Sequence, residues 1–568
     1  MLDADKVAGS QDAAAAWQAG YDRIAERFGG AQPRTSHSGI PLKPCYFHHD
    51  VPAGVEAEAP GAYPFTRGNL AAQYQFMTWA NQPVIGYGLP EQTRERMDLL
   101  AEQGMTGYFG QRFYNLVYDL VSHEGLDPDD SAARGRIGQC GMAVYSVRDM
   151  ERLFAGLDPT QMNVIHITYY QVVPALAQYI AYAEKLGLTP DQLRGNSMNW
   201  YHQSAYVGMS AFPPRQGHKL AVELISYCTR NMPRWNTTNL FAYGVEEAGG
   251  TAVQEIGLML AYGIDLVRSC IEAGLQPDEF LPRFGFQIAQ ANDFFEEICK
   301  IRAMRKQWAQ TMHERFGAQD PRSMHVRIHT HTSGAVLTAQ QPIVNLIRAT
   351  LHTLGAALAG TQAMEVSAYD EALAIPTEEA ATLALRTQQV IQEETNITAV
   401  SDPLAGSYYV EALTGAIGRR ALELVEQIEE LGGYTAAQET DWLRSEVEES
   451  ARLWRERVDS GERKVVGLNC YRTEEPDTTP VFEVDPEAER IAVERIQELR
   501  ATRDAGRYED AMGRFREAAE RFAEAETSEL GDGALIEAAI DAARAEASTG
   551  EMMRVMKDAL GWRAPHVF

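Results

Sequence analysis

Cysteine is scarce in this 568-residue chain, long apolar runs are missing, and basic residues are outnumbered; each deficit excludes a class of function. The six cysteines (Cys45, Cys140, Cys228, Cys270, Cys299, Cys470) are scattered without a C-x-x-C pair. That pattern argues against a disulfide framework or a metal held by this chain, and for thiols kept reduced. No stretch approaches the ~20 apolar residues of a membrane span. Lys plus Arg number 51 against 79 Asp plus Glu, a net charge of −28. Such a surface repels nucleic-acid phosphates and anionic lipid, so neither is expected as a partner. The start, MLDADKVAGSQDAAAAW, carries acids early and lacks a basic segment followed by an apolar run. No signal peptide is expected, and the cytoplasm is the expected location.

What remains is a chain with 45% hydrophobic and 23% charged residues, enough for a large core. Residues 1–60 read as an arm: a helix over Ala13 to Phe28, then the Pro/Gly-rich HSGIPLKPCYFHHDVPAG. From residue 61 to 415, β-rich runs alternate with helical ones. MNVIHITYY, NTTNLFAYG, FLPRFGFQI, SMHVRIHTH and TQAMEVSAY read as strands, each followed by a helical segment. Serial β-then-α units without hairpin signals predict an α/β fold with a parallel sheet closed into a (β/α)8 TIM barrel. Residues 416–568 have helical spacing and charge-rich faces, broken by the extended RKVVGLNCYRTEEPDTTPVFEVDPEAE, which predicts a helical C-terminal region.

Six segments occur in order: YPFTRG (Tyr63 to Gly68), NMPRWN (from Asn231), EEAG (from Glu246), HTSG (from His331), YDEALAIPT (from Tyr369) and DPLAGSYYVEALT (from Asp402). Together they resemble the large, substrate-binding part of the adenosylcobalamin-dependent acyl-CoA mutases, the methylmalonyl-CoA and isobutyryl-CoA mutase family. The resemblance implies a radical 1,2-rearrangement inside the barrel, with cofactor chemistry at the carboxyl ends of the strands. None of the 13 histidines sits in the D-x-H-x-x-G motif by which corrinoid carriers of this superfamily ligate cobalt. The tail GEMMRVMKDALGW resembles that of two-chain members. The expectation is a hetero-oligomer in which a separate small cobalamin-binding subunit carries D-x-H-x-x-G, with the N-terminal arm contacting it.

On the cofactor side, the resemblance makes Glu247 a corrin-edge residue and Glu371 an adenosyl-ribose acceptor. Gly334, Ala372 and Ala374 match small residues that let corrin and adenosine approach, and Gly138 with Gly141 to Ala143 match another lining stretch. His331 stands where the family commonly has glutamine, and Ser367 where it has asparagine. Asp119, Ser122, His123 and Gly125 keep a family-like D-L-x-[ST]-H-x-G core, which makes His123 a catalytic candidate.

The substrate side departs from the family. Met77 and Gln82 occupy two arginine positions, and Gln73 lies on the same segment. Two lost guanidinium forks remove contacts worth roughly 1.5–3 kcal/mol each unless replaced elsewhere. Arg283 matches a surviving anchor. Val84 replaces the residue against the migrating group, and Val207–Gly208 offers no arginine for a free carboxylate. Met198, or Ser197, stands for a glutamine, and Gly244 for the histidine that hydrogen-bonds the thioester carbonyl. The run Tyr108 to Leu120 is longer than in relatives. His166, Tyr169 and Tyr170, His202, and Gln111 with Arg112 are the candidate replacements, with Tyr169 and His202 joining His123 as catalytic candidates. The resulting expectation is a mutase acting on a non-standard acyl thioester, carrier-bound acyl group or free acid. Two other functions fit the residues: a non-catalytic barrel that binds a cobalamin subunit, and a cobalamin-independent barrel enzyme using His202, His331 or Glu371.

Overall fold

The computed structural model describes residues 4–27, 30, 33–105, 107, 111–206, 210–473 and 479–564. Tyr108, Val207 and Gly208 lie outside the described residues. Eight strand positions run in parallel: β1 (Ala80–Asn81 and Val84–Ile85), β2 (Arg112–Val117), β3 (Met162–Ile167), β4 (Gly195–Ser197), β5 (Trp235–Asn236 and Thr238–Phe241), β6 (Phe284–Gln290), β7 (Ile328–Thr332) and β8 (Ala363–Glu365). Two of them are interrupted, and these join the halves of the sheet. The first part of β1 pairs with β8 (Ala80↔Ala363) and its second part with β2 (Val84↔Asn115). β5 likewise pairs with β4 through Trp235 and with β6 through Thr238. Pro83, inside β1, has no N–H to give a ladder. The eight positions therefore follow one another around a (β/α)8 barrel.

The strands are shorter than the apolar runs that announce them. β3 stops at Ile167 because the chain turns, with Tyr169 at φ +49. Helices follow the strands where caps permit. After β5, Ala252–Glu272 starts on Thr251, whose side chain accepts from the Gln254 N–H, and ends before Gly274 at φ +90. Outward residues such as Leu240, Phe286 and Ile288 pack under the helices in one large apolar cluster. That cluster continues into the C-terminal helices through Val425, Phe515, Ile540 and Met552. Helix Tyr408–Glu430 crosses residue 415 and packs on Ala252–Glu272 and Phe294–Gln310.

The segments that carried the resemblance meet as scaffold. Arg67 of YPFTRG pairs with Asp402 at 3.0 Å, and buried Arg302 joins Asp402 (2.5 Å) to Glu411 (2.8 Å). Fully buried Arg305 donates to the carbonyls of Phe65, Thr66 and Ala359. Among the described residues no helix is long and apolar enough to cross a membrane.

Candidate active site

At the carboxyl ends of the strands, Glu247 and Glu371 flank Gly334. A Cβ on residue 334 would lie 3.4 Å from Glu247 Oε2 and 3.6 Å from Glu371 Oε1. Glu247 ends the short helix Tyr243–Glu247, so it does not serve a helix N-terminus. Its Oε1 instead accepts from Ser333 Oγ (2.7 Å) and the Ala335 N–H (3.3 Å), which ties the loops after β5 and β7 together. Glu371 faces the open mouth; burial of its surroundings and the nearby Glu247 charge push its carboxyl up to about 7. Ala372 is exposed and Ala374 half-buried beside it, leaving a ledge of small side chains.

His331 stacks on Tyr243 (centroids 4.4 Å apart, 7° between planes), and its Nε2 lies 3.4 Å from Ser367 Oγ. Ser367 is itself fixed by the Thr332 carbonyl at 2.8 Å. Five of the expected cofactor-side residues (Glu247, Glu371, Gly334, His331, Ser367) thus converge on one end of the barrel. The glycine-rich stretch after β2 has another reason for its composition. A Cβ at Gly141 would lie 2.0 Å from the Tyr118 carbonyl, and one at Gly138 would lie 2.7 Å from Gly88 Cα. Ala143 is buried under helix Glu487–Thr502 rather than facing the mouth. In that stretch Cys140 is the exposed side chain close enough to feel the Glu371 charge.

Of the catalytic candidates, Tyr169 stands nearest the carboxylates. Its ring packs on His123 (4.5 Å) and Trp200 (4.8 Å), and burial with the Glu247 charge pushes its hydroxyl up to about 12. His123 is buried, with Nε2 bonded to the Ile167 carbonyl at 3.2 Å; it supports Tyr169 from behind. His202 turns away from the lumen: Nε2 meets the Phe241 carbonyl at 2.9 Å and the ring stacks on Tyr262 of the surrounding helix. His166 also points outward, to Tyr118 Oη at 2.9 Å, because its neighbours Ile165 and Ile167 take the lumen face. Tyr170 packs outward on Tyr201 and Trp562.

A cavity of about 620 Å³ opens at the opposite, amino ends of the strands. Met77, Gln82, Met198, Arg283 and Gln111 line it; Arg112 is exposed and reaches Tyr114 Oη. Gln73 does not line it: its side-chain oxygen accepts the Asp402 N–H at 2.8 Å, a scaffold contact. Sequence reasoning missed Arg194, Arg234, Arg322 and Arg327, which join Arg283 at this mouth, where no described lining residue is Asp or Glu. Burial, with the charges of Arg322 and Arg194, lowers the pKa of Arg283. Deeper, the wall is carboxamide-rich, with Gln82, Asn163, Asn196 and Asn239, and Gln82 meets His329 Nδ1 at 2.8 Å. Ile165, Ile167, Met198, Trp200 and Phe241 form an apolar layer, flanked by Val84, Val117, Tyr169 and Tyr243.

Glu365 was also missed. It is the register partner of His331 on the neighbouring strand, is buried, and has an Oε2 without a partner among the described residues. Burial, with the nearby Glu371 charge, pushes its carboxyl well above the usual range. A lone acid within the strand-like TQAMEVSAY was the available signal. Below the mouth, fully buried Lys300 bonds Glu255 (2.5 Å) and Glu297 (2.6 Å).

Comparison with known proteins adds relationship to geometry. The family model described as Methylmalonyl-CoA mutase matches residues 35–562. The chain is 35% identical to the methylmalonyl-CoA mutase of Escherichia coli K12 over 525 residues, covering 90% of this chain and 70% of that protein. It is 36% identical to that of Cereibacter sphaeroides (92% and 72% covered) and 32% identical to the mitochondrial methylmalonyl-CoA mutase of Homo sapiens (92% and 68% covered).

Proposed function

Because the chain belongs to the methylmalonyl-CoA mutase family, a family of cobalamin-dependent isomerases, we propose that it is the substrate-binding large subunit of an adenosylcobalamin-dependent mutase. Its substrate is a non-dicarboxylic acyl group carried as a thioester. The observation that carries this reading is the order of surfaces along the barrel. An arginine mouth lies at one end, a carboxamide and apolar shaft in the middle, and a ledge between two glutamates at the other end.

The ledge fits a flat macrocycle. Gly334 and Ala372 keep it low, and Glu247 and Glu371 offer acceptors for corrin amides and ribose hydroxyls. Held there by Glu247 and Glu371, adenosylcobalamin would supply the radical chemistry of a 1,2-rearrangement. The residues of this chain do the rest. Arg194, Arg234 and Arg283 would hold the phosphates of the thioester handle, a job that does not need the two missing family arginines, while Arg322 is paired with Asp320 at 2.6 Å. The carboxamides satisfy the amides of its arm, and the apolar layer excludes water from the acyl group. Tyr169, its hydroxyl pushed up to about 12, donates a hydrogen bond without giving up its proton.

A separate D-x-H-x-x-G subunit brings the cobalt ligand. The test is to mix the chain with such a subunit and adenosylcobalamin, add butyryl-CoA and other monocarboxylic acyl-CoA thioesters, and follow the corrinoid spectrum and the products. Substrate-dependent spectral change with an isomeric product supports the proposal. Corrinoid binding without any response to thioesters favours a non-catalytic partner barrel.

A further inference from the structure

Gln203 follows β4 in the short helix Tyr201–Ala205 and is 1% exposed. Neither its Oε1 nor its Nε2 has a partner among the described residues. A carboxamide buried unpaired is costly, and a ligand group that pairs with it removes that cost. The group is aimed at a definite volume. A Cβ on Gly244 would lie 2.9 Å from Gln203 Oε1 and 3.0 Å from Phe241 Cε1. The absence of a side chain at residue 244 is therefore what admits the carboxamide. Phe241 stacks on Trp200 with centroids 3.7 Å apart, and both belong to the apolar layer with Ile165, Ile167 and Met198. The amide thus borders the layer that receives the acyl group, between the arginine mouth and the two glutamates.

We propose that Gln203 is the positioning residue for the acyl carbonyl, its NH2 donating to the carbonyl oxygen of a thioester seated in the Ile165–Met198–Trp200–Phe241 layer. Rotation of the amide about its last bond turns the NH2 toward that oxygen. This assignment rests on the acyl-thioester reading above. It accounts for two facts together, a glycine at 244 and an unpaired carboxamide against it. The donor is neutral, so this contact is independent of pH.

The test is equilibrium binding to the full chain of two probes, butyryl-CoA and S-butyl-CoA, the thioether that lacks the carbonyl oxygen. The wild type should bind the thioester about 3- to 10-fold more tightly, the range for one neutral hydrogen bond. Gln203→Leu should bind both probes alike, with thioether affinity unchanged. Gly244→Ala, whose Cβ displaces the carboxamide, should lose the same discrimination, and it guards against misfolding of the first variant. A wild-type ratio preserved in both variants overturns the role of Gln203 and leaves the acyl-thioester reading intact. If the wild type binds neither probe, the acyl-thioester reading falls and the inference with it.

Discussion

Glu247 and Glu371, 124 positions apart in sequence, face each other across Gly334, close enough that a Cβ there would touch both side chains. The spacing sets a height limit on the ledge. Alanine at 334 sits at ordinary contact distance and should be tolerated. Gly334→Val raises the floor of the slot and should weaken corrinoid binding about tenfold or more. The measurement is adenosylcobalamin binding in the presence of the small subunit, followed by absorbance, with an unchanged melting temperature as control.

Glu371→Ala should abolish turnover while leaving the fold intact, since the described residues form no hydrogen bond to its carboxylate. If the ionised form is the ribose acceptor, activity should rise with pH across a limb near 7, where its carboxyl titrates. Glu371→Gln should remove that limb. Wild-type activity in Glu371→Ala would refute the adenosyl assignment.

Arg283→Ala and Arg194→Ala should each weaken binding of an acyl-CoA by about tenfold or more if each guanidinium makes one charge-assisted contact. An acyl-pantetheine without phosphates should bind both variants as it binds the wild type. Equal losses for both ligands, measured by calorimetry, would mean that the mouth does not hold phosphate.

Lys300 offers a stability test away from the mouth. Lys300→Met strands Glu255 and Glu297 in a fully buried site and should cost about 3–5 kcal/mol in urea unfolding. A loss below 1 kcal/mol would contradict the buried pairing.

Stability should peak near neutrality. Buried His123, His202 and His329 have folded pKa values of about 4, and His166 about 3, against an ordinary 6.5. Their contribution is present above 6.5 and lost as pH falls through that window, each by up to about 1.4 kcal/mol per pH unit. Glu371, pushed to about 7, has the opposite sign: its contribution is full below 4.5 and lost as pH rises through 7. Urea midpoints between pH 4 and 8 check both limbs.

The parallel barrel and the meeting of Glu247, Glu371, Gly334, His331 and Ser367 were legible because each lies on or just after a strand in a framed motif. Direction around the barrel was harder. His166 lies between Ile165 and Ile167, and a strand buried on both faces shows no polar alternation to say which side points inward. His202 and Gln73 were misplaced for a related reason, since loop residues have no periodicity. The arginine mouth was invisible because Arg194, Arg234, Arg283, Arg322 and Arg327 come from separate connections, each unremarkable alone. Gln203 gave no signal until the empty space at Gly244 was seen.

The mouth also gives the barrel electrical polarity. A molecule of net charge −28 presents guanidiniums at one door and carboxylates at the other. On the proposed reading, an anionic thioester would be repelled by most of the surface and drawn to the guanidinium end, so it would arrive already aligned. Its charged tail would stay at the threshold while the acyl tip enters, and insertion backwards would be opposed before any contact forms.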